Sequence, residues 1–501
     1  DPDFISAQAE RLDAIFITHG HEDHVGAIGR LWPELKAPIY ARRFTARVAE
    51  LKLEEAGLEP RPIRVVEPWP RMVEAGPFRV GFLPVSHSIP ESAALVIETE
   101  AGRVVHTGDF KIDHSPQLGE AFDEALFAEI GRLGVDALVC DSTNVFNAHP
   151  GRSEAELITP IAELVRAAPG LVVATTFASN LARLRTIAMA AKAAGRSVTV
   201  YGRAMNRMLN VARETGILTD FPNILGEDEA ASVPPEHLLV LASGSQGERR
   251  AAMAQIAAGT SPRVALRPGD LVLFSSKTIP GNEMAVTRVV NRFSEMGARV
   301  VDETGGLYHV SGHANRPDLQ ALHALLRPKL LVPMHGEHRH LVAHVALAEE
   351  GGYRGIVAPN GTLVRLAGGP PEIIGQVETG RLYLDGTVLI GALDGVVRDR
   401  IKLASRGHVV AAVVVDQDGG LAADPVVRVR GLVSEVSDEV PDLAIALEDA
   451  IDLAFERANA RQLRTLDAIE GLVTASCSQL CNRMIGRRPV VSVLVSRVEV
   501  E

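Results

Sequence analysis

The sequence of 501 residues predicts an α/β protein built from several domains. Strand-like apolar runs recur through the first 145 residues, as in "LDAIFITH" and "VDALVCDST". From about residue 152, helical and strand patterns alternate, which is typical of βαβ units on a parallel sheet. Residues 403–501 show two strands, two helices and a final strand, enough for a separate small α+β module.

Local signals place the elements in order along the chain. The run "LDAIFIT" predicts a strand that ends just before His19, with a helix beginning near Asp23. Ser153, followed by Glu156 three residues later, forms the capping-box pattern that opens the helix "SEAELITPIAELVRAA". The strand "GLVVATTF" and the helix "NLARLRTIAMAAKAAG" continue the alternation. The Gly/Pro-rich stretch "LAGGPPEIIG", 366–375, predicts the start of a linker.

Composition and charge narrow the function classes. The net charge of −12 argues against attraction of nucleic acid to the whole surface. Residues 164–213, however, contain eight Lys and Arg and no Asp or Glu. This basic segment is either a solvated helix face or an anion-binding surface. No apolar stretch approaches the roughly 20 residues of a membrane-spanning helix, so no membrane association is expected. Three scattered cysteines favour a reducing cytoplasm.

Residues of metal-ligand type cluster directly after the first predicted strand. His19, His21, Asp23 and His24 fall within six consecutive positions. Packing does not explain this density, because buried imidazoles need hydrogen-bond partners. In an extended loop His19 and His21 point the same way, whereas Asp23 and His24 can turn toward a second point, so one loop can serve two metals. Open sheets present functional groups at strand ends, where further ligands are expected: His87, Asp109 and His335.

These motifs resemble those of a known fold. "HGHEDH", the isolated His87, "TGDFK" and "PMHGE" are similar to the metallo-β-lactamase fold. The inserted βαβ region, with "CDSTN", "TTFASN", "SGSQGE", "SSKTIPGNE" and "SGHA", resembles the β-CASP nuclease branch and, within it, the ribonuclease J family. The resemblance covers nearly the whole chain. It implies a metallo-β-lactamase αββα sandwich with an inserted β-CASP βαβ domain and a small C-terminal α+β domain.

The resemblance also gives the expected domain organisation. Such proteins begin with several strands ahead of the histidine loop, so it implies that N-terminal strands precede residue 1 in the complete protein. The expected domains are a metallo-β-lactamase domain in two parts, 1–152 and 312–375, a β-CASP domain, 153–311, a linker, 376–402, and a C-terminal domain, 403–501.

The resemblance implies a centre of two Zn²⁺ per subunit, with Mn²⁺ as the alternative on ligand chemistry. The implied ligands are His19, His21 and His87 for one ion, Asp23, His24 and His335 for the other, and Asp109 bridging both. Asp141 in "CDSTN" and His313 in "SGHA" correspond to the family's acidic and histidine motifs and, with Asp23, form the predicted catalytic set. His313 would donate a proton to, or stabilise charge on, the phosphate oxygens. The hypothesis for the chemistry is metal-assisted attack of water on a phosphodiester.

Loops of small residues at strand ends form the predicted substrate site. Their backbone N–H groups and hydroxyls can hold phosphates without long side chains. The predicted substrate-binding residues are Phe177, Ala178, Ser179, Asn180, Ser243, Ser245, His309, Val310, Ser311, Gly312 and His313. In the family that the motifs resemble, such loops grip the terminal 5′ phosphate of RNA, and the basic segment would line the approach.

The implied function is RNA processing and decay in the cytoplasm. The enzyme would be a 5′-to-3′ exonuclease that favours 5′-monophosphate ends, with endonuclease activity as a second mode. The expected partners are RNA, further copies of the chain in a homodimer or homotetramer joined through the C-terminal domain, and other RNA-decay proteins.

Three other interpretations remain open from the sequence. A metallo-hydrolase of thioesters or lactams uses a similar two-metal loop, although it needs no basic inserted block. A DNA nuclease is a second alternative, because the residues that sense a ribose 2′-OH cannot be identified from sequence. The third is a non-catalytic RNA-binding scaffold with a vestigial metal site, which the presence of every expected ligand type disfavours.

Overall fold

The structure is a computed structural model that describes residues 2–304, 306–392, 394–433 and 442–499. Contacts within the chain divide it into two compact units, 2–379 and 380 onward.

The strands of the first unit are β1 Ile15–Ile17, β2 Ile39–Ala41, β3 Ile63–Val65, β4 Met72–Ala75, β5 Phe78–Pro84, β6 Ala93–Thr99, β7 Gly102–His106, β8 Ala137–Asp141, β9 Val172–Thr175, β10 Ser197–Tyr201, β11 Leu238–Ala242, β12 Leu271–Phe274, β13 Arg299–Val301, β14 Leu330–Met334, β15 Arg354–Gly355, β16 Thr362–Arg365 and β17 Glu372–Gln376. Its helices are α1 Asp3–Ser6, α2 Glu22–Val25, α3 Ile28–Leu35, α4 Arg43–Glu55, α5 Glu124–Arg132, α6 Ile158–Ala167, α7 Leu181–Ala193, α8 Arg203–Glu214, α9 Glu227–Ala231, α10 Ala252–Ala257, α11 Glu283–Glu295, α12 Arg316–Leu326 and α13 His338–Glu350.

Two sheets pack face to face at the centre of the first unit. The small parallel sheet has the order β1-β2-β3, and the large mixed sheet has the order β15-β14-β8-β7-β6-β5-β4. Phe16 and Tyr40 of the small sheet stack with ring centroids 5.3 Å apart and pack on Val80, Phe82 and Leu95 of the large one. Helices α3 and α4 cover the small sheet, and α5, α12 and α13 cover the large one. The predicted layered α/β sandwich is therefore confirmed.

The inserted region forms a five-stranded parallel sheet with the order β10-β11-β9-β12-β13. Separate apolar clusters bury its two faces against helices, as expected for alternating βαβ units. The capping box that opens the region is present: Ser153 Oγ accepts from Ala155 N–H, and the Glu156 carboxylate accepts from Ser153 N–H at 2.9 Å. A short 3₁₀ turn, Glu154–Leu157, then leads into α6.

The Gly/Pro-rich stretch 366–375, predicted as the start of a linker, is part of an antiparallel hairpin. It contains the turn and most of the second strand of this hairpin, β16 with β17, because glycine and proline punctuate hairpin turns as readily as linkers. Residues 376–402, predicted as a linker, contain a second hairpin and the first part of a helix in the structure.

The second unit is a small α+β domain. Its elements are β18 Leu382–Asp385, β19 Val388–Gly391, α14 Val396–Arg406, β20 His408–Val415, β21 Leu421–Arg430, α15 Leu443–Glu456, α16 Leu466–Ile485 and β22 Val490–Arg497. The sheet has the order β21-β20-β22, and β20 buries every second residue against α15 and α16. Cys477 and Cys481 are fully buried in that core. Among all described residues, no helix is both long and apolar enough to cross a membrane.

Candidate metal centre

The histidine loop begins where β1 ends. Thr18 and His19 are buried directly after the strand, and His21, in extended conformation, is the residue before α2. The helix begins at Glu22, one residue earlier than the predicted start near Asp23. The backbone changes from extended to helical at this point. The side chains before the change, those of His19 and His21, therefore face a different position from the side chains after it, those of Asp23 and His24.

The seven predicted metal ligands come together as two overlapping groups. Site A consists of His19, His21, His87 and Asp109, and site B consists of Asp23, His24, Asp109 and His335; within each group the ligand atoms lie within 4.8 Å of one another. Asp109 belongs to both sites. Its Oδ2 lies 3.4 to 3.9 Å from four imidazole nitrogens, those of His24, His335, His19 and His87.

The site contains buried polar atoms that the protein itself does not satisfy. Among the described residues, His19 Nε2, His24 Nε2 and Asp109 Oδ1 are buried without a hydrogen-bond partner. Such atoms are rare in folded proteins because each costs desolvation energy. Three of them converging between carboxylates and imidazoles fit a bound divalent cation, which accepts these lone pairs.

The outer nitrogens of the ligand histidines are held by fixed oxygens. His87 Nδ1–H donates to Gly312 O at 2.6 Å, so the lone pair of His87 is on Nε2, which lies 3.0 Å from His21 Nδ1 and 3.9 Å from Asp109 Oδ2. The Thr143 hydroxyl donates to Asp141 Oδ1 at 2.7 Å, so its oxygen accepts from His335 Nδ1–H, also at 2.7 Å. Such partners set the tautomer and the direction of a ligating imidazole. His335 also has a φ of 58°, an uncommon value for a residue other than glycine and one associated with functional sites.

The electrostatics of sites A and B differ. Burial lowers the pKa of His19 and His87 far below the ordinary value and that of His21 to about 4, so site A presents neutral imidazoles. In site B, burial is outweighed by the nearby carboxylates of Asp109 and Asp23, at 3.4 and 3.5 Å from His24 Nε2, which raise the pKa of His24 to about 9. The carboxylates of site B therefore stabilise positive charge at the position where a cation would lie.

His313 lies beside both sites and is paired with Asp141. His313 Nδ1–H donates to Asp141 Oδ2 at 2.7 Å, and the Asp141 side chain is almost fully buried. Burial opposes the charge of His313, but Asp141 raises its pKa above the ordinary value. The rings of His313 and His335 stack at 5.5 Å. The Asp141 carboxylate thus favours the protonated form of an imidazole that lies next to the candidate metal ligands.

The predicted substrate residues occupy three loops at the carboxyl ends of strands. Ser311 and Gly312 belong to the loop that also carries His309, Val310 and His313, and this loop touches site A through Gly312. Phe177, Ala178 and Ser179 follow β9, while Asn180 caps α7 by accepting from Arg183 N–H. Ser243 and Ser245 follow β11, and no hydrogen bond or ion pair of the described chain joins them to site A or site B. Ser243 instead lines an open polar cavity of about 700 Å³ together with Arg203 and Arg250.

The basic segment 164–213 does not form one anion-binding surface. Arg183 is fully buried and pairs with Glu154, and Arg196 is buried among backbone carbonyls. Arg185 pairs with Asp220 and Arg207 pairs with Glu55. The prediction of one surface is wrong for the buried side chains, because sequence shows charge but not the direction of a side chain on its helix.

Sequence reasoning missed several residues that organise the site. Thr143 orients His335, Thr18 Oγ1 lies 3.0 Å from His19 Nδ1, and Asn144 Nδ2 donates to Ser311 Oγ at 2.8 Å. Thr143 and Asn144 belong to "CDSTN", so that motif was the available signal. His344, assigned no role from sequence, contacts Ser142 Oγ at 2.8 Å through Nδ1 and His323 at 3.1 Å through Nε2.

Four family profiles match the chain. Residues 2–154 match the metallo-beta-lactamase superfamily, 169–293 the beta-CASP domain of ribonuclease J, 304–359 the Zn-dependent metallo-hydrolase RNA specificity domain, and 395–498 the ribonuclease J C-terminal domain. These matches confirm the metallo-β-lactamase fold with an inserted β-CASP domain and a C-terminal domain, and they imply a metal-dependent hydrolase.

Curated relatives extend the match over almost the whole chain. Ribonuclease J of Sinorhizobium meliloti is 41% identical over 498 residues, which are 99% of this chain and 88% of the relative. Ribonuclease J of Mycolicibacterium smegmatis is 35% identical, over 97% of this chain and 87% of the relative. Ribonuclease J of Thermus thermophilus is 33% identical, over 98% of this chain and 86% of the relative. A solved structure of unknown function from Enterococcus faecalis V583 has a TM-score of 0.47 at 16% identity over 72% of this chain and 81% of its own, too distant to bear on function. Its inserted sheet, the matched family profiles and these relatives show that the chain belongs to the ribonuclease J family.

Proposed function

We propose that the protein is a ribonuclease that uses two Zn²⁺ ions, one in site A and one in site B, to hydrolyse RNA phosphodiesters. It removes nucleotides in the 5′-to-3′ direction, favours 5′-monophosphate ends and cleaves internally as a second mode. The observation that carries the proposal is the pair of sites sharing Asp109 beside the His313–Asp141 pair. The names of the relatives and the RNA specificity profile support RNA as the substrate.

The donor set supports zinc. Imidazole and carboxylate ligands without thiolate suit Zn²⁺ and also accommodate Mn²⁺. Metal analysis of the purified protein distinguishes the two ions. Bound cations of this kind supply Lewis-acid chemistry, activating water and neutralising charge on the scissile phosphate. The ligands themselves would be His19, His21 and His87 in site A, Asp23, His24 and His335 in site B, and Asp109 in both.

The protein's own groups position the substrate and move a proton. Asp141 accepts from the Nδ1–H of His313 and favours the protonated imidazole, from which His313 Nε2–H would donate to an oxygen of the reacting phosphate. Asp141 also anchors Thr143, which in turn orients His335. The loop 308–313 and the loops after β9 and β11 provide N–H groups and hydroxyls for the phosphates of the RNA chain. The proposed subunit associates with further copies through the C-terminal domain and acts in the cytoplasm with other RNA-decay proteins.

The first experiment offers several substrates to the full chain loaded with zinc. The substrates are RNA with a 5′ monophosphate, RNA with a 5′ triphosphate, a DNA oligomer and a thioester. Release of mononucleotides from the monophosphorylated RNA is expected, with slower turnover of the triphosphorylated RNA. Thioester turnover alone, or cleavage of DNA in preference to RNA, would refute the proposal.

Three variants assign the roles. His21→Ala is expected to abolish cleavage together with loss of metal from site A, whereas His313→Ala is expected to keep both metals and lose turnover. His114→Ala is the matched control, because His114 is exposed and pairs with Glu124 outside both sites. If His313→Ala loses metal and activity in proportion, His313 has a ligand or folding role instead of the proposed one.

A further inference from the structure

Arg183 is the most deeply buried basic residue of the segment 164–213. It lies on α7 of the inserted domain and is completely buried. Its guanidinium makes a two-pronged contact with the Glu154 carboxylate, from Nε at 3.0 Å and from Nη2 at 2.7 Å. A buried guanidinium is retained in a core only where it is paired and its N–H groups are satisfied.

The remaining N–H groups of Arg183 reach the start of the loop 308–313. Arg183 Nη1 donates to Ser275 O at 2.8 Å and to Ser275 Oγ at 2.9 Å, and Ser275 Oγ–H donates to Tyr308 O at 2.6 Å. Longer contacts of 3.4 to 3.5 Å reach Tyr308 O, His309 Nδ1 and Val310 O. One side chain therefore joins α7, the end of β12 and the first half of the loop.

The far end of the same loop is fixed by the metal centre. Gly312 O accepts from His87, and a Cβ at Gly312 would lie 2.8 Å from Ser88 Oγ and 3.0 Å from the His87 ring. Ser311 Oγ accepts from Asn144 Nδ2 at 2.8 Å. The loop is thus held at its beginning by Arg183 and at its end by site A, with His313 immediately after.

Glu154 connects Arg183 to the strand end that carries Asp109. Glu154 N–H donates to Asp113 Oδ2 at 3.1 Å, and Asp113 pairs with the buried Lys111 at 2.8 Å. Lys111 follows Asp109 by two residues, and its N–H donates to Ser86 O, next to His87, at 2.8 Å. A continuous chain of buried polar contacts therefore runs from the inserted domain to the segments that carry the metal ligands.

We infer that Arg183, braced by Glu154, is a positioning residue that sets the loop 308–313 against the metal centre, so that His313 reaches the RNA phosphate. It acts through the loop and touches neither metal nor substrate. The inference rests on the proposed ribonuclease function. It assigns the inserted domain a second role: besides offering surface to RNA, the domain fixes the position of the proton donor, His313. Lysine at position 183 keeps one positive charge but cannot make the forked contact with Glu154 while also holding Ser275.

The test compares Arg183→Lys with Arg185→Lys in the full, metal-loaded chain. Arg185 lies on the same helix, two residues away, and pairs with Asp220 near the surface, so it is the matched control. Misplacement of a reacting group by about 1 Å costs on the order of 100-fold in rate. We expect kcat on 5′-monophosphorylated RNA to fall roughly 10- to 100-fold in Arg183→Lys, with little change in KM or in metal content, and Arg185→Lys to behave as wild type.

A small substrate separates positioning from general damage. Bis(p-nitrophenyl) phosphate has a leaving group that needs no proton and presents no RNA chain to the loops, so Arg183→Lys should hydrolyse it at nearly the wild-type rate. Amide hydrogen exchange in the full chain should show faster exchange across 308–313 in Arg183→Lys only. Unchanged kcat on RNA with unchanged exchange would overturn the inference, as would equal loss of metal and of activity on both substrates. A wild-type chain that hydrolyses the small diester but not RNA refutes the ribonuclease proposal instead, and the exchange measurement still decides whether Arg183 holds the loop.

Discussion

Replacing Thr143 with valine should weaken site B selectively. The change preserves shape and removes one hydroxyl, which donates to Asp141 and accepts from His335, both at 2.7 Å. A hydrogen bond to a charged group contributes about 1.5–3 kcal/mol, and a neutral one about 1 kcal/mol. Loss of an outer partner of a metal ligand weakens metal binding about 10- to 100-fold, which is about 1.4–2.7 kcal/mol. The free energy of the lost hydrogen bonds and the free energy of a 10- to 100-fold change in affinity agree. The metal affinity of site B is therefore expected to fall about 10- to 100-fold.

Site A should be affected only through the Asp109 carboxylate that it shares with site B, because none of the hydrogen bonds described for Thr143 reaches His19, His21 or His87. The assay titrates metal-loaded protein with a chelator and counts the metal that remains per chain by mass spectrometry. In Thr143→Val one cation should leave at a chelator concentration about 10- to 100-fold lower than the other. Thr215→Val is the control, since the hydrogen bonds described for the Thr215 hydroxyl go to backbone carbonyls of α8. Release of both cations at the same chelator concentrations as in wild type would refute the assignment of Thr143 to site B.

Three further outcomes are expected. Asp109→Ala should lose both cations, whereas Asp23→Ala should lose one, because Asp109 alone belongs to both sites; metal analysis of the purified variants decides this. Chelation should lower the melting temperature of the wild-type chain, because ligands that bind only the folded state stabilise it; differential scanning calorimetry measures the shift, and an unchanged melting temperature would contradict a loaded site. Burial lowers the pKa of His323 to about 4 and of His344 to about 3, whereas in the unfolded chain both bind protons below about pH 6.5. The free energy of unfolding should therefore fall as the pH decreases from about 6.5 to about 4, and urea unfolding of His323→Gln should show a shallower loss over that interval than wild type.

The fold and the metal-ligand residue types could be predicted because their signals are local. The density of His19, His21, Asp23 and His24 after one apolar run is visible in six letters of sequence, and the capping box at Ser153 needs only four. Strand-end placement of His87, Asp109 and His335 follows from the pattern of each strand. Whether these positions meet depends on sheet order, which the family resemblance supplied and the pattern alone did not.

The parts that escaped prediction depend on contacts between distant segments. Thr143 meets His335 across 192 residues, and Arg183 meets Ser275 across 92; nothing near either residue in the sequence marks the partner. Burial of Arg183 could not be predicted from its charge, because the sequence shows that a basic residue lies on a helix but not whether its side chain faces the core or the solvent. The hairpin turn within 366–375 was not predicted, because glycine and proline mark turns and linkers alike.

If sites A and B each bind a cation, as proposed, the carboxylate of Asp109 that they share would make loading of the two sites a linked equilibrium. An ion that draws on this carboxylate from one side changes the charge and the orientation that an ion on the other side meets. By thermodynamic reciprocity, whatever the first does to the affinity of the second, the second does to the first. The occupancy of the two proposed sites would therefore depend on the concentration of free cation as a cooperative or anticooperative curve, and the proposed activity would respond to metal supply through that curve.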